Sequence, residues 1–277
     1  MRRRDHAVLT SRGGSAETVQ PLLFTVEFRR KMAQLSQRDR QEWLSSLAAR
    51  LRYDPSPVLL QELREVARGC RLPLVDAIQR HLGPFDALHL RAILEVPRER
   101  FVRAEDVERS AEDVPLPLDD EGLATISAPH AYLLSFRLLE LAPGDALVEL
   151  GTGSGYGAAL SAFIVGPEGG VATFEIDETL ACWAEHTLSD QHGVARHRAD
   201  AVTSAPHWGG AGKVVVTFAV ETLPEAWVAA LPEGGRLVAP VGGRDRDQRL
   251  VLVRRESGSV NSTDHGAVRY VKNRSTR

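Results

Sequence analysis

Cysteine, lysine and long apolar runs are scarce in this 277-residue chain, and each scarcity removes a class of protein. Cys70 and Cys182 are the only cysteines, too few and too far apart for a disulfide framework, so both are expected as reduced core thiols. Lysine occurs as Lys31, Lys213 and Lys272 alone, and arginine carries the remaining positive charge. Basic residues number 34 against 37 acidic ones, a net charge of −3, and the pI is about 6.3. That balance offers no electrostatic footprint for nucleic acid. No stretch of about 18 apolar residues exists to span a bilayer. The opening MRRRDHAVLTSRGGSAETVQ is positively charged at its start, without the apolar run of a signal peptide. A cytoplasmic protein with no membrane or nucleic-acid partner is therefore expected. Aromatic residues are few as well, at 6%, yet 43% apolar and 26% charged residues are ordinary for a folded domain and exclude disorder.

Three regions differ along the chain. Residues 1–22 are polar, with a Gly13-Gly14-Ser15 turn and no periodicity, and read as a flexible arm. Residues 23–84 repeat apolar side chains at helical spacing: Met32 and Leu35; Trp43, Leu44, Leu47 and Leu51; Leu60, Leu63 and Val66; Val75, Ile78 and Leu82. Asp54-Pro55-Ser56-Pro57 and Arg71-Leu72-Pro73 punctuate this pattern, which predicts three or four short helices. Such a module suits substrate recognition, dimerisation, or a lid or buttress on the next domain, with buttressing the favoured reading.

From residue 85 to 277 the pattern changes. A helix over about 86–94 leads into VPRERFV and then VPLPLDDEG, where Pro115 and Pro117 favour a loop. Strands and helices alternate beyond it. Strands are predicted at 146–150, 171–176, 213–218 and 236–240, helices at 156–165, 178–188 and 224–230, and a closing hairpin at 250–254 and 267–271. The alternation predicts an α/β fold, a doubly wound, mostly parallel sheet behind a small N-terminal helical module, with ligands at the carboxyl ends of the strands.

The first of those strands ends in Glu149-Leu150-Gly151-Thr152-Gly153-Ser154-Gly155 and runs straight into a helix, a place where backbone turns sharply and a ligand comes close. Glycine-rich turns also serve plain helix–strand packing, so the motif alone is weak. The next strand ends in Glu175, 175 − 151 = 24 residues after the first glycine, the spacing of a carboxylate that accepts from ribose hydroxyls. Spacing alone fits a dinucleotide or S-adenosylmethionine. The second is favoured because no third glycine is placed for a pyrophosphate, no nicotinamide-side catalytic set is evident, and Glu149 would repel phosphate but suit an ammonium.

Together these segments resemble the protein-L-isoaspartate O-methyltransferases. The likeness rests on VPRERFV, PLPL, ATISAPH (Ala124 to His130), LAPGDALVELGTGSGYGAAL, GGVATFEID and LPEGGRLVAPVG, which occur in the family's order between about residues 75 and 271. The glycine motif is widespread among methyltransferases, whereas Thr125-Ile126-Ser127-Ala128-Pro129-His130 is much more specific. The resemblance implies a Rossmann-like methyltransferase domain, S-adenosyl-L-methionine as cofactor, and a peptide or protein carrying isoaspartate as partner. It further implies repair chemistry, in which the methyl ester of L-isoaspartate collapses to a succinimide. A monomer is favoured. Carried over by position, Ser127 is the principal catalytic or positioning residue, and Ala124, Thr125 and Ile126 frame the methionine part of the cofactor. Glu149, Gly151, Thr152 and Gly153 fall in the first cofactor motif, Glu175 and Ile176 at the ribose, and Asp200 beside the adenine. From position alone, Ser127 has a second reading as the cap of the helix predicted over 129–141.

Transfer from a sulfonium to a carboxylate uses a nucleophile already ionised at pH 7, so neither a strong base nor a metal is required. His130, His186, His192, His197 and His207 show no metal-ligand pairing. Departures from the family pattern concern the acceptor side. Leu118-Asp119-Asp120-Glu121-Gly122-Leu123 is about two residues longer than usual and acidic, so it would repel an acidic substrate unless its acids face solvent or pair with arginines. The adenine acid sits in Ala199-Asp200-Ala201, and Phe218 and Glu221 are unexpected in Thr217-Phe218-Ala219-Val220-Glu221. Two other readings therefore stand beside repair: a relative that methylates an Asp carboxylate of a dedicated peptide in natural-product maturation, its helical module recognising that peptide, and a non-catalytic protein that keeps the cofactor fold.

Overall fold

The computed structural model describes residues 35–36, 38–40, 42–46, 57–243 and 247–274, the side chains of 58–65 and 67 excepted. The arm over 1–22, and Met32, Leu47 and Leu51 of the helical stretch, lie outside the described residues. The chain enters through α1 (Pro57–Leu82) and α2 (Ala87–Glu95), which Asp86 caps by accepting from the Leu88 amide at 2.7 Å. Pro73 was expected to break the first of these, yet α1 continues through it for 26 residues. An internal proline costs about 3 kcal/mol or more. Tertiary burial on both sides of it outweighs that: Arg71 precedes it fully buried, and Leu74, Val75 and Ile78 follow it into the main core.

Two 3-10 segments, Arg98–Arg100 and Ala104–Arg109, lead to a small hairpin of β1 (Leu116–Pro117) and β2 (Thr125–Ile126), paired antiparallel. The acidic segment is thus a hairpin tip rather than an irregular loop. Then come α3 (Pro129–Leu139), β3 (Ala146–Leu150), α4 (Tyr156–Val165), β4 (Gly170–Glu175), α5 (Glu178–Thr187), β5 (Val194–Arg198), β6 (Lys213–Val216), α6 (Glu225–Ala230), β7 (Arg236–Val241), β8 (Gln248–Glu256) and β9 (Ser259–Val268). The sheet order is β5-β4-β3-β6-β7-β8-β9, with β3 to β7 parallel and the last two strands antiparallel.

Both faces of this sheet are buried, and its central strands send alternate side chains to two cores. Leu147, Val215 and Val238 pack with Ile93, Phe136, Leu160 and Ile78 on one face. Val148, Leu150, Val214, Val216 and Leu237 pack with Phe174 and Trp227 on the other. Leu74, Val75 and Ile78 of α1 therefore share a core with the sheet. The closing hairpin differs from expectation: β9 begins at Ser259, after a turn with positive φ at Ser257 and Gly258, and 269–274 is a separate strap. The thiols differ too. Cys70 on α1 is half-buried and burial pushes its thiol pKa up, whereas Cys182 on α5 is exposed and not a core residue.

Candidate active site

Strand order reverses at β3, whose neighbours β4 and β6 lead to opposite edges of the sheet, and a crevice opens beyond the carboxyl ends of such strands. The glycine turn lies there. Gly151 has φ 95°, and a Cβ on it would stand 2.3 Å from Thr217 Oγ1 and 2.9 Å from Phe218 Cδ1, so only glycine fits. Thr217 holds the turn by donating to the carbonyl oxygens of Gly151 (2.6 Å) and Leu150 (3.0 Å). The Gly153 amide donates to Glu175 Oε2 at 2.8 Å, which ties the turn to the end of β4.

Two chambers meet at this turn. The outer one, about 560 Å³ with the solvent at its mouth, is lined by Ala124, Glu175, Ile176 and Asp200 among others. The inner one, about 260 Å³, is lined by Ile126, Ser127, Glu149 and Thr152. Thr125, Gly151, Gly153 and Thr217 line both. Every site residue expected from the sequence thus borders one chamber or the other. Glu175 is buried. Its Oε1 accepts from the amides of Ile176 and Asp177, both at 3.0 Å, and its Oε2 from Gly153. A carboxylate offers about four acceptor directions, so one remains. Burial raises the Glu175 pKa while those amides oppose the rise. Asp200 Oδ1 accepts from the Val202 amide at 2.9 Å.

In the inner chamber the main chain of Ser127 is held at both ends. Its amide donates to Tyr132 Oη at 3.3 Å, and its carbonyl accepts from Arg98 Nη2 at 3.0 Å. Ser127 does not cap α3. The cap position is Ala128, without a side-chain bond, and Asp113 Oδ1 accepts from the His130 amide at 3.0 Å instead. Burial opposes ionisation of Asp113, yet bonds from His130 and the Arg98 charge hold its carboxyl below the usual range. The Glu149 carboxyl accepts from Thr173 Oγ1 at 2.7 Å and from the Ala158 amide, while Thr152 Oγ1 meets Thr173 Oγ1 at 2.6 Å. Burial pushes its pKa up to about 8.

The family model for protein-L-isoaspartate(D-aspartate) O-methyltransferase matches residues 78–277. The chain belongs to this family. It is 34% identical over 212 residues to the Methanopyrus kandleri protein-L-isoaspartate O-methyltransferase, covering 75% of this chain and 92% of the relative. With the Pyrobaculum arsenaticum protein of the same name it shares 37% over 201 residues, covering 72% and 95%. A solved protein-L-isoaspartate O-methyltransferase superposes with a TM-score of 0.67 at 25% identity, over 73% of this chain and 65% of that one. The Plasmodium falciparum beta-aspartate methyltransferase, solved in complex with S-adenosyl-L-homocysteine, shares the fold with a TM-score of 0.66 at 22% identity over 74% and 99%.

Within this family's fold, two of the three acids of the tip, Asp119 and Asp120, pair with arginines. Arg103 Nη2 lies 2.8 Å from Asp120 Oδ1, and Arg274 contacts Asp119. Burial opposes ionisation of Asp119, but the Ala124 amide, Arg274 and the Leu123 amide hold its carboxyl below the usual range. Arg274 also reaches Asp177 Oδ2 at 2.7 Å, so one guanidinium joins the hairpin tip to the start of α5. The strap that carries it hydrogen-bonds along Ala219: the Ala219 amide donates to the Val271 carbonyl (2.7 Å), and the Asn273 amide to the Ala219 carbonyl (3.1 Å). Val271, Lys272, Asn273 and Arg274 form one wall of the outer chamber. Sequence reasoning missed this wall, and also Arg98, Tyr132, Ser154 and Thr173. Arg98 stood inside VPRERFV beside Glu99 and Arg100, and nothing in the sequence set it apart from those two charges.

Proposed function

We propose that the protein transfers a methyl group from S-adenosyl-L-methionine to the side-chain carboxylate of an L-isoaspartyl residue in a damaged protein or peptide, as a cytoplasmic monomer. The observation that carries this reading is the adjacency of the two chambers, which share Thr125, Gly151, Gly153 and Thr217 as a wall and so set a nucleoside-sized cleft beside the chamber that Ser127 lines. The cleft fits the cofactor: three glycines at positive φ let backbone approach closely, Glu175 keeps one acceptor direction for a ribose hydroxyl, and Ile176, Leu180 and Phe218 supply apolar contact for a purine. Bound there, the cofactor supplies an electrophilic methyl group on a sulfonium. Ser127, fixed through Arg98 and Tyr132, offers its hydroxyl to orient the acceptor carboxylate, and the strap and hairpin tip exclude water. Asp200 borders the adenine end, Ala124 to Ile126 border the methionine end, and Thr152 and Glu149 support the turn from beneath. Residues 57–84 act as a buttress, since their apolar face enters the core of the catalytic domain.

Methyl transfer to paired peptides differing only in L-isoaspartate versus L-aspartate tests the reading. Methylation of the isoaspartyl peptide alone is expected; transfer to the aspartyl peptide, or cofactor binding with transfer to neither, overturns it. Two variants separate the roles. Ser127→Ala is expected to lower kcat/KM by roughly tenfold to a hundredfold with S-adenosylhomocysteine affinity unchanged. Glu175→Ala is expected to weaken that affinity first, and calorimetry reads the difference.

A further inference from the structure

The side chain of Arg71, on α1, has no solvent exposure, and neither has that of Glu99, which it meets. Arg71 Nη1 donates to Glu99 Oε2 at 2.6 Å, and Nη2 donates to the Leu94 carbonyl at 2.6 Å. One guanidinium thus ties α1 to the last turn of α2 and to the 3-10 segment Arg98–Arg100. A pair so placed is a poor source of stability. Both ions have given up their water, and Glu99 Oε1 and Arg71 Nε find no hydrogen-bond partner among the described residues. Apolar side chains of similar volume often pack in such a place as favourably or more so. Direction is what they would not supply: a planar guanidinium fork fixes both the carboxylate and the carbonyl that it meets.

The segment held in this way backs Ser127 on two sides. On the first, Arg98, the chain neighbour of Glu99, donates to the Ser127 carbonyl at 3.0 Å. On the second, Phe101, just beyond the segment, packs its ring on Tyr156 with centroids 5.4 Å apart, and Tyr156 meets Tyr132 edge to face at the same separation. Tyr132 Oη then accepts from the Ser127 amide at 3.3 Å. Tyr156 is buried and lines the inner chamber, and its hydroxyl feels the charges of Arg71, Arg98 and Glu99. Both ends of the Ser127 main chain therefore lead back to the segment whose orientation Arg71 sets.

We propose that Arg71 is a positioning residue for methyl transfer, acting through Glu99 on the Arg98 and Tyr156–Tyr132 contacts that hold Ser127. The proposal rests on the methyltransferase reading and goes beyond the buttress, for which the apolar side chains of Leu74, Val75 and Ile78 suffice. Through this one residue α1 completes the acceptor side of the site from behind.

The test uses the full chain with Arg71→Lys, Arg71→Met and the double variant Arg71→Met/Glu99→Leu. It reads the thermal midpoint, S-adenosylhomocysteine affinity and stoichiometry by calorimetry, and kcat/KM for the isoaspartyl peptide per cofactor-binding molecule. Arg71→Met leaves the Glu99 carboxylate buried without its counter-charge, so the midpoint falls; the double variant removes both charges and recovers most of it. Activity is expected to part from stability. In Arg71→Met kcat/KM falls roughly tenfold to a hundredfold, and it stays down in the double variant, with S-adenosylhomocysteine affinity unchanged in both. Arg71→Lys, which keeps the charge without the fork, is expected to lose less. Recovery of kcat/KM together with the midpoint in the double variant would reveal a purely structural pair and overturn the proposal. An unchanged kcat/KM in a folded single variant, or a loss of S-adenosylhomocysteine affinity as large as the loss of transfer, overturns it too. Should Arg71→Met fail to fold, Arg71→Lys and the double variant decide by the same readings. Wild-type protein that methylates no isoaspartyl peptide would instead sink the underlying methyltransferase reading.

Discussion

Glu149 lies on β3 with its side chain buried, only 1% exposed. Burial pushes its pKa up to about 8; the Thr173 hydroxyl and the Ala158 amide pull the other way, and the charge of nearby Glu175 adds to the rise. The folded chain therefore keeps this proton at a pH where the unfolded chain, with an ordinary carboxyl near 4.5, has lost it. Between those values the native state binds more protons than the unfolded state, so stability falls as pH rises, by up to about 1.4 kcal/mol per unit. Glu175, raised in the same direction, adds to the slope. Asp113 and Asp119 are lowered instead, so their contributions are complete above the unfolded aspartate value and disappear only in acid. Urea titrations at pH 5.5 and 7.5 are expected to find the wild type less stable at the higher pH and Glu149→Gln with a smaller difference. An equal difference in both proteins would contradict the assignment.

Among the elements, those buried on both faces were legible in the sequence and those at the edges were not. β3 (ALVEL) and β6 (KVVV) are mostly leucine and valine, because those side chains have a core to enter on either face. β5, with Arg196, His197 and Arg198, and β9, polar over most of its length, are edge strands whose charged and polar side chains discourage further pairing and also erase the periodicity. Pro73 misled for a related reason, since local chemistry predicted a break that long-range burial overrides. The glycine turn was readable because its chemistry is local, whereas Ser127 was singled out only through the resemblance of its segment to the family. The strap was not, since Arg274 and Asp119 are 155 residues apart and only the closed fold joins them. Arg274 and its two acids are each partly exposed, so each pair contributes at most about 1 kcal/mol. Arg274→Gln is therefore expected to speed S-adenosylhomocysteine release roughly threefold to tenfold in stopped-flow, with the gap narrowing at high salt.

At the scale of the whole molecule, the site draws on segments spread from Arg98 to Arg274, all converging at the strand ends around β3. Binding at that crevice therefore reports on the complete fold rather than on any one segment. The unequal burial of the two cysteines offers a separate gauge of the same thing. Alkylation requires an accessible thiolate; Cys182 is exposed, whereas Cys70 is half-buried and its burial disfavours the charged form. Brief maleimide treatment of the native protein is expected to add one adduct, at Cys182, and treatment in denaturant to add two, as intact mass would show. The number of labels per chain then counts folded and unfolded molecules directly, in a mixture and without any ligand.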